Sequence, residues 1–163
     1  MVSHEPPVTY FPLLLILAYL LLAVSAFEWS QGGWNWMRAM NHFMAGFFLV
    51  FSFFKLLDVQ GFADSFSMYD IVAQRSRGYA LAYPFIELTL GLAYLSNIAP
   101  TLTNIVTLIV MGVGAIGVIQ SLLAKRKIRC ACLGAVFNLP MSTITLVEDV
   151  LMAGMAAWML LAG

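Results

Sequence analysis

Five long apolar runs follow one another along the chain, separated by shorter polar stretches. Each run holds about the 20 predominantly apolar residues that a helix needs to cross the hydrocarbon core of a bilayer. A helix also satisfies its own backbone hydrogen bonds, as the membrane interior demands. The pattern therefore predicts five membrane-spanning helices, at residues 11–27, 39–57, 79–97, 102–124 and, approximately, 141–161.

The stretches between the runs predict the organisation of the chain. Residues 58–78 form the longest connection and are polar enough to predict a surface loop, while Pro100 and Thr101 predict a tight turn. The first run is not expected to be a cleaved signal peptide, because the residues before it contain no Lys or Arg. We therefore divide the chain into an N-terminal transmembrane helix with an outer loop, residues 1–37, and a four-helix membrane domain, residues 38–163.

Composition agrees with this fold class, an all-α polytopic membrane helix bundle. Apolar residues make up 62% of the 163 residues and charged residues only 10%, against about 45–50% and about 25% in a soluble domain. A soluble enzyme is therefore excluded as the default, and a disordered chain is excluded because disorder requires few apolar residues. Eight Lys and Arg balance eight Asp and Glu. The lipid bilayer is the expected partner, and nucleic acid is not.

The basic residues predict an orientation in the inner (plasma) membrane. Arg38 alone lies in a connection on one side of the five predicted spans. The connections on the other side carry Arg75, Arg77, Lys125, Arg126, Lys127 and Arg129. Because basic loops stay in the cytoplasm, the N-terminus is predicted inside and the C-terminus outside. Glu28 and three tryptophans, Trp29, Trp34 and Trp36, then fall at the outer interface, where Trp is enriched.

Two cysteines, Cys130 and Cys132, are the first candidates for chemistry. They are the only cysteines in the chain, and they directly follow the basic residues 125–129. Positive neighbours favour the thiolate form. A thiolate pair binds a soft ion such as Cu(I), or exchanges disulfides with a partner or within itself. The alternative is that both are small buried apolar residues. The pattern favours a functional pair without deciding between redox and metal chemistry.

Ionisable residues inside the predicted spans or at their ends are the second candidate. Such groups are costly in a membrane and are usually paired or functional. All fall in the predicted cytoplasmic half, near the cysteines, where one lysine would meet several carboxylates. Two hypotheses stay open, a polar clasp between helices and a catalytic or ion-relay site. The residues are Lys55, Asp58, Glu87, Glu148 and Asp149.

Two further patterns favour packing over chemistry. Met152, Met155 and Met159 share a helix face with Glu148. Thioethers are ligands for Cu(I), but methionine more often fills irregular core space. The sequence GVGAIG at residues 112–117 spells G-x-G-x-x-G, yet it lies inside an apolar run with no preceding strand, so a dinucleotide site is not indicated. Close helix packing explains its small residues better.

Three blocks of the chain resemble the MauE/DoxX-like family of membrane proteins. The first block, within residues 55–70, reads KLLD, GFADSF and YD, and the second, residues 83–92, reads YPFIEL followed by GL. The third reads CACLG, NLPMS and TLVED within residues 130–149, and it is similar to the C-terminal block of the methylamine-utilisation branch, MauE. The resemblance covers roughly residues 40–160, so the first predicted span lies outside it.

The resemblance implies a four-helix core with redox-associated duties. It implies a thioredoxin-like partner and an exported, disulfide-rich client, which in the family's namesake is the small subunit of methylamine dehydrogenase. Carried onto this sequence, the implied site is the pair Cys130 and Cys132. The implied polar surround is Lys55, Asp58, Glu87, Glu148 and Asp149.

Three functional hypotheses follow. In the first, the cysteines exchange disulfides with a thioredoxin-like partner, as a component of a thiol–disulfide oxidoreductase system, and no cofactor is expected. In the second, the same thiols carry Cu(I) or Hg(II) for transport or chaperoning of a heavy metal. In the third, the protein is a non-catalytic membrane assembly factor. The charge bias places the cysteines at the cytoplasmic face, a compartment where stable disulfides are rare, whereas an exported client matures on the other side of the membrane. Three interpretations stay open: the pair relays electrons across the membrane, it binds a metal, or the orientation is inverted.

Overall fold

A computed structural model describes residues 11–68, 70–123 and 143–162 of the chain. Over these residues all regular structure is helical and no strand occurs. This confirms the predicted fold class of an all-α membrane bundle. The helices are α1 (Phe11–Ser30), α2 (Trp36–Leu56), α3 (Val59–Phe66), α4 (Arg77–Ser96), α5 (Pro100–Leu123) and α6 (Thr143–Ala162).

The long helices lie where the apolar runs occur. Three of them, α1, α2 and α5, are long and apolar enough to cross a membrane. The other two, α4 and α6, contain 20 residues each and coincide with the third and fifth predicted spans. Glu87 makes α4 less apolar than these three helices. The crossing of the membrane by α4 and α6 stays a prediction.

Helix packing depends on two glycines of α2 and α4. The most extensive packing is between α2 and α4 and between α5 and α6, whereas α1 packs against α2. A Cβ atom at Gly46 would lie 2.7 Å from Leu20 Cδ2 of α1, and one at Gly91 would lie 3.0 Å from the Leu49 side chain of α2. Residues without a Cβ atom therefore allow these close approaches, as small residues commonly do in membrane bundles.

Two apolar clusters fill the interior. The larger is rich in Phe and Met, with Met44, Phe48 and Met152 almost fully buried. The smaller lies where α3 joins α2 to α4, and we call this end of the molecule the α3 end. There Phe66 packs against Phe62, with ring centroids 5.0 Å apart, and against Tyr83, with centroids 4.5 Å apart.

The prediction that residues 58–78 form a surface loop is wrong for part of that segment. Helix α3 lies within it and buries Phe62, Ala63 and Phe66 in the smaller cluster. These three positions share one face of a helix, so a single short amphipathic helix covers the end of the bundle. An eight-residue helix gives too short a pattern to stand out in a chain this apolar.

The predicted turn at Pro100 and Thr101 is also displaced. Both residues lie in the first turn of α5, and the chain reverses just before them. Asn97 and Ala99 there have positive φ angles of 54° and 43°. Proline suits the first helical position, because its missing N–H group has no helical partner at that position in any residue. It therefore begins α5.

Candidate functional site

A buried ion pair joins α2 to α4 at the α3 end. Lys55 lies in the last turn of α2, and its Nζ atom is 2.6 Å from both carboxylate oxygens of Glu87 in α4. The two side chains are only 6% and 2% exposed. Burial removes water from both charges, so their short contact has to offset a large desolvation cost. Each residue is stable in this position because the other is present.

Aromatic rings enclose the Lys55 ammonium group. Its Nζ atom lies 5.5 Å from the ring centroid of Phe62 and 5.1 Å from that of Tyr83, within cation–π distance. The Tyr83 side chain also hydrogen-bonds to the carboxyl group of Glu87. Helix α3 supplies one of these rings, so its folding back onto α4 is what closes the ion pair from water.

Helix α6 brings Glu148 to the same region. Glu148 is 8% exposed and lies within electrostatic range of Lys55. Its Oε1 atom is buried and has no hydrogen-bond partner among the described residues. A buried oxygen without a donor is costly as a carboxylate, because it has lost its water and gained nothing in return.

The next residue, Asp149, occupies the space beside a glycine of α5. Its Oδ2 atom would lie 3.4 Å from a Cβ atom at Gly114, so the glycine in the G-x-G-x-x-G sequence leaves room for a carboxyl group. Asp149 interacts electrostatically with Lys55, Glu148 and Glu87. The described structure therefore brings four of the five predicted polar residues into one neighbourhood.

Asp58, the fifth, has a different place. It is exposed and is the N-cap of α3, where its Oδ1 atom accepts a hydrogen bond of 3.0 Å from the backbone N–H of Gly61. Aspartate is a preferred N-cap because its side chain satisfies a backbone donor that the helix leaves free. Asp58 thus helps to position α3 instead of facing Lys55.

A further acid, Asp70, was missed as a site residue by sequence reasoning. It is fully buried, and its Oδ1 atom accepts hydrogen bonds of 3.0 Å from the backbone N–H groups of Val72 and Ala73. Its Oδ2 atom has no partner among the described residues. Burial raises the pKa of Asp70 above its ordinary value, against the opposing effect of the two backbone donors.

Asp70 belongs to the same electrostatic neighbourhood, because it interacts with Asp149 and with Tyr79. Asp70 lies in the segment that the sequence predicts as a surface loop, outside the apolar runs, so its charge does not mark it as a buried group. The only signal in the sequence was its place in the YD pair of the first family block.

The predicted thiol pair lies outside the described residues. Cys130 and Cys132 belong to residues 124–142, which connect the last described residue of α5 to the first residue of α6. Asp149 is six residues after Thr143, the first residue of α6, and so lies about 9 Å along the helix at 1.5 Å per residue. Because Asp149 lies near Lys55, helix α6 begins at the α3 end.

The methionine face of α6 is directed into the larger apolar cluster. Met152 and Met159 are buried there, and Met155 packs against the cluster. This arrangement agrees with a packing role. Within the described ranges, no three His, Cys, Asp or Glu side chains lie close enough together to hold a metal ion.

A second ion pair closes the opposite end of the α1–α2 hairpin. Arg38 Nε and Nη2 donate hydrogen bonds of 2.8 Å to the two carboxylate oxygens of Glu28, and the backbone N–H of Asn35 donates a third of 3.0 Å. Glu28 is fully buried. The sequence placed Glu28 at the outer interface with the tryptophans, but its pairing with Arg38 was not predicted.

Comparison with known proteins gives one family. The family described as methylamine utilisation protein MauE matches residues 35–162. No curated protein and no solved structure gives a significant match. The matched region begins just before α2 and includes both the buried ion pair and the C-x-C segment, whereas α1 lies outside it.

Proposed function

The chain belongs to the MauE family of methylamine utilisation proteins, and from this membership we propose that it is a thiol–disulfide exchange protein of the inner membrane. Cys130 and Cys132 are its reacting groups. A thioredoxin-like protein is its exchange partner, and the protein whose maturation it supports is an exported, disulfide-rich client. Methylamine dehydrogenase small subunit is the client that the family's name suggests.

The exchange proceeds through a mixed disulfide. The thiolate of one cysteine attacks a disulfide sulfur of the partner, and the partner's second sulfur leaves as a thiolate. The other cysteine then attacks the first, which closes a C-x-C disulfide and releases the partner as a dithiol. Two electrons pass from the cysteine pair to the partner, and the two thiol protons end on the released sulfurs. The reverse sequence reduces the pair.

The location of the start of α6 is the observation that supports this function best, because the C-x-C segment precedes α6 in the sequence. Residues 124–142 connect α5 to α6, and α6 begins at the α3 end, beside the buried ion pair and its surrounding acids. We therefore assign the thiols to the end of the bundle that carries the ionisable groups. The basic residues 125–129 precede them directly and favour the thiolate that attack requires.

The basic connections support a cytoplasmic position for this end, according to the positive-inside rule. We therefore propose that the partner is met in the cytoplasm, where thioredoxin-like proteins keep dithiols reduced. The test uses a membrane-impermeant maleimide on intact cells and on inverted vesicles. Labelling only in inverted vesicles is expected. Labelling of intact cells would reverse the orientation and place the thiols on the side of the exported client.

Trapping of the mixed disulfide tests the function itself. Cys130→Ser and Cys132→Ser variants are expressed in cells, and adducts are detected by non-reducing electrophoresis after acid quenching. One single variant is expected to accumulate a partner adduct that reductant releases, because the resolving thiol is absent. The double variant is the matched control, since it contains no thiol at all. If neither single variant forms an adduct, thiol exchange is wrong.

The same variants separate the two other hypotheses. Stoichiometric Cu(I) on the reduced wild-type protein, absent from the double variant, would favour the metal carrier, because thiolates are soft ligands. A double variant that supports client maturation at the wild-type level would favour a non-catalytic assembly factor. Thiol exchange requires the opposite result, a loss of client maturation with unchanged amounts of the variant in the membrane.

A further inference from the structure

Acids outnumber bases at the α3 end. Three carboxyl groups, those of Glu87, Glu148 and Asp149, lie within electrostatic range of Lys55, the one described cation among them, and a fourth, that of Asp70, interacts with Asp149. If every group were ionised, three negative charges would remain without a partner among the described residues. An ionised carboxylate is too costly to persist unpaired in a low-dielectric interior, and it binds a proton instead.

Two oxygen atoms are the candidates for binding such protons. Asp70 Oδ2 and Glu148 Oε1 are buried and have no hydrogen-bond partner within the described part of the chain. Asp70 is fully buried and Glu148 is 8% exposed. A carboxylate only accepts hydrogen bonds, whereas a protonated carboxyl also donates one. Protonation of Asp70 or Glu148 therefore removes the negative charge from a carboxyl group that has one oxygen without a hydrogen-bond donor among the described residues.

We propose that these residues form a buried proton-binding site that exchanges protons with water at the α3 end of the bundle. Lys55 and Glu87 remain a charged pair at its centre. The carboxyl groups of Asp70, Glu148 and Asp149 carry the exchangeable protons. Asp70 lies on the connection between α3 and α4, outside the long helices, and we assign to it the exchange of protons with the aqueous side.

The groups facing the site favour a proton over a metal ion. Helix α4 contributes Tyr79 and Tyr83 besides Glu87, and α5 contributes no titratable side chain. No three metal-ligating side chains converge within the described ranges. A metal cation would also be repelled by the fixed charge of Lys55. A proton needs only one oxygen atom, and the two unpartnered oxygens supply it.

Infrared spectroscopy of the full-length protein in lipid nanodiscs tests this site. The wild-type protein at neutral pH is expected to show the C=O stretching band of protonated carboxyl groups. The band should shift in D2O and disappear as the pH is raised. If no such band is present at neutral pH, the proposed site is wrong. This measurement needs no substitution, so it does not depend on a variant folding.

Conservative variants assign the band. Glu148→Gln and Asp149→Asn each remove one carboxyl group, so each is expected to reduce the band by about one third, because two protons then neutralise the site instead of three. Asp64→Asn is the matched control, since Asp64 is 67% exposed and forms a surface pair with Arg77. Its band should equal that of the wild type. A band that is equally strong in all variants would overturn the assignment.

Discussion

Replacing Lys55 by methionine removes the central cation but keeps the length and the apolar stem of the side chain. Glu87 then loses the partner that lies 2.6 Å from both of its oxygens in a site that is almost closed to water. Breaking a buried ion pair by removing one partner costs about 3–5 kcal/mol, because the remaining group has to be buried without a partner or neutralised by a proton. We expect Lys55→Met to lower the free energy of unfolding by that amount.

Glu87→Gln is expected to be milder. The amide oxygen still accepts a hydrogen bond from Lys55. Glu148 and Asp149 lie within electrostatic range, so either carboxyl group can release its proton and become the counter-ion. The loss should be about 1.5–3 kcal/mol, the usual value of a hydrogen bond to a charged group. This asymmetry between the two partners follows from the excess of acids over bases around Lys55.

Equilibrium unfolding in mixed detergent micelles measures both variants, with Arg77→Met as the control. Arg77 and Asp64 form an exposed ion pair, 49% and 67% accessible, and such pairs contribute about 0–1 kcal/mol. The loss for Lys55→Met should shrink in acid, because protonation removes the carboxylate charges that Lys55 compensates. Our account is refuted if Lys55→Met costs no more than Arg77→Met, or if Glu87→Gln costs as much as Lys55→Met.

Three further predictions concern the supporting structure, at Gly91, Asp58 and Asp70. Gly91→Ala places a Cβ atom 3.0 Å from the Leu49 side chain, so we expect a loss of about 1–3 kcal/mol by overpacking. Gly112→Ala is the control, because its Cβ atom would meet nothing within 4 Å, and it should unfold like the wild type. Equal thermal midpoints for the Gly91→Ala and Gly112→Ala variants would contradict the close approach of α2 and α4. Asp58→Ala should cost about 0.5–2 kcal/mol through loss of the α3 N-cap, whereas Asp58→Asn keeps an acceptor and should cost less; the same unfolding assay decides, and equal losses would exclude the capping role. Burial raises the pKa of Asp70 above 3.8, so the folded state holds its proton more tightly than the unfolded state, and stability should fall as the pH rises from 3.8 through the raised value. Asp70→Asn keeps the acceptor and should abolish this decline, and parallel pH profiles of thermal midpoint for variant and wild type would count against it.

The long helices could be predicted from the sequence because each depends on a local pattern of apolar residues. A run of about 20 apolar residues is sufficient for a membrane helix, and each of the five runs corresponds to a long helix in the structure. The three blocks that resemble the family could be recognised for the same reason, since each is a short contiguous sequence motif. Helix α3 was missed because eight residues between two apolar runs give little periodicity to detect.

Which residues form the polar cluster could be identified only from the packed bundle. Local sequence shows that a residue is charged and lies in an apolar run, but not which side chain of another helix faces it. Asp58 and Asp70 illustrate this limit, because they flank the same helix, yet one caps α3 at the surface and the other is buried. The burial of Glu28 by Arg38 is a second example.

The amino-acid pattern by itself determined the class of the protein, the positions of its long helices and its family, since these depend on hydrophobicity and on contiguous motifs. Only the tertiary structure decided that Lys55 pairs with Glu87, that α6 and Asp70 add carboxyl groups around them, and that Gly91 and Gly114 provide space. Those features depend on the relative shift and rotation of neighbouring helices, which packing between side chains distant in sequence controls.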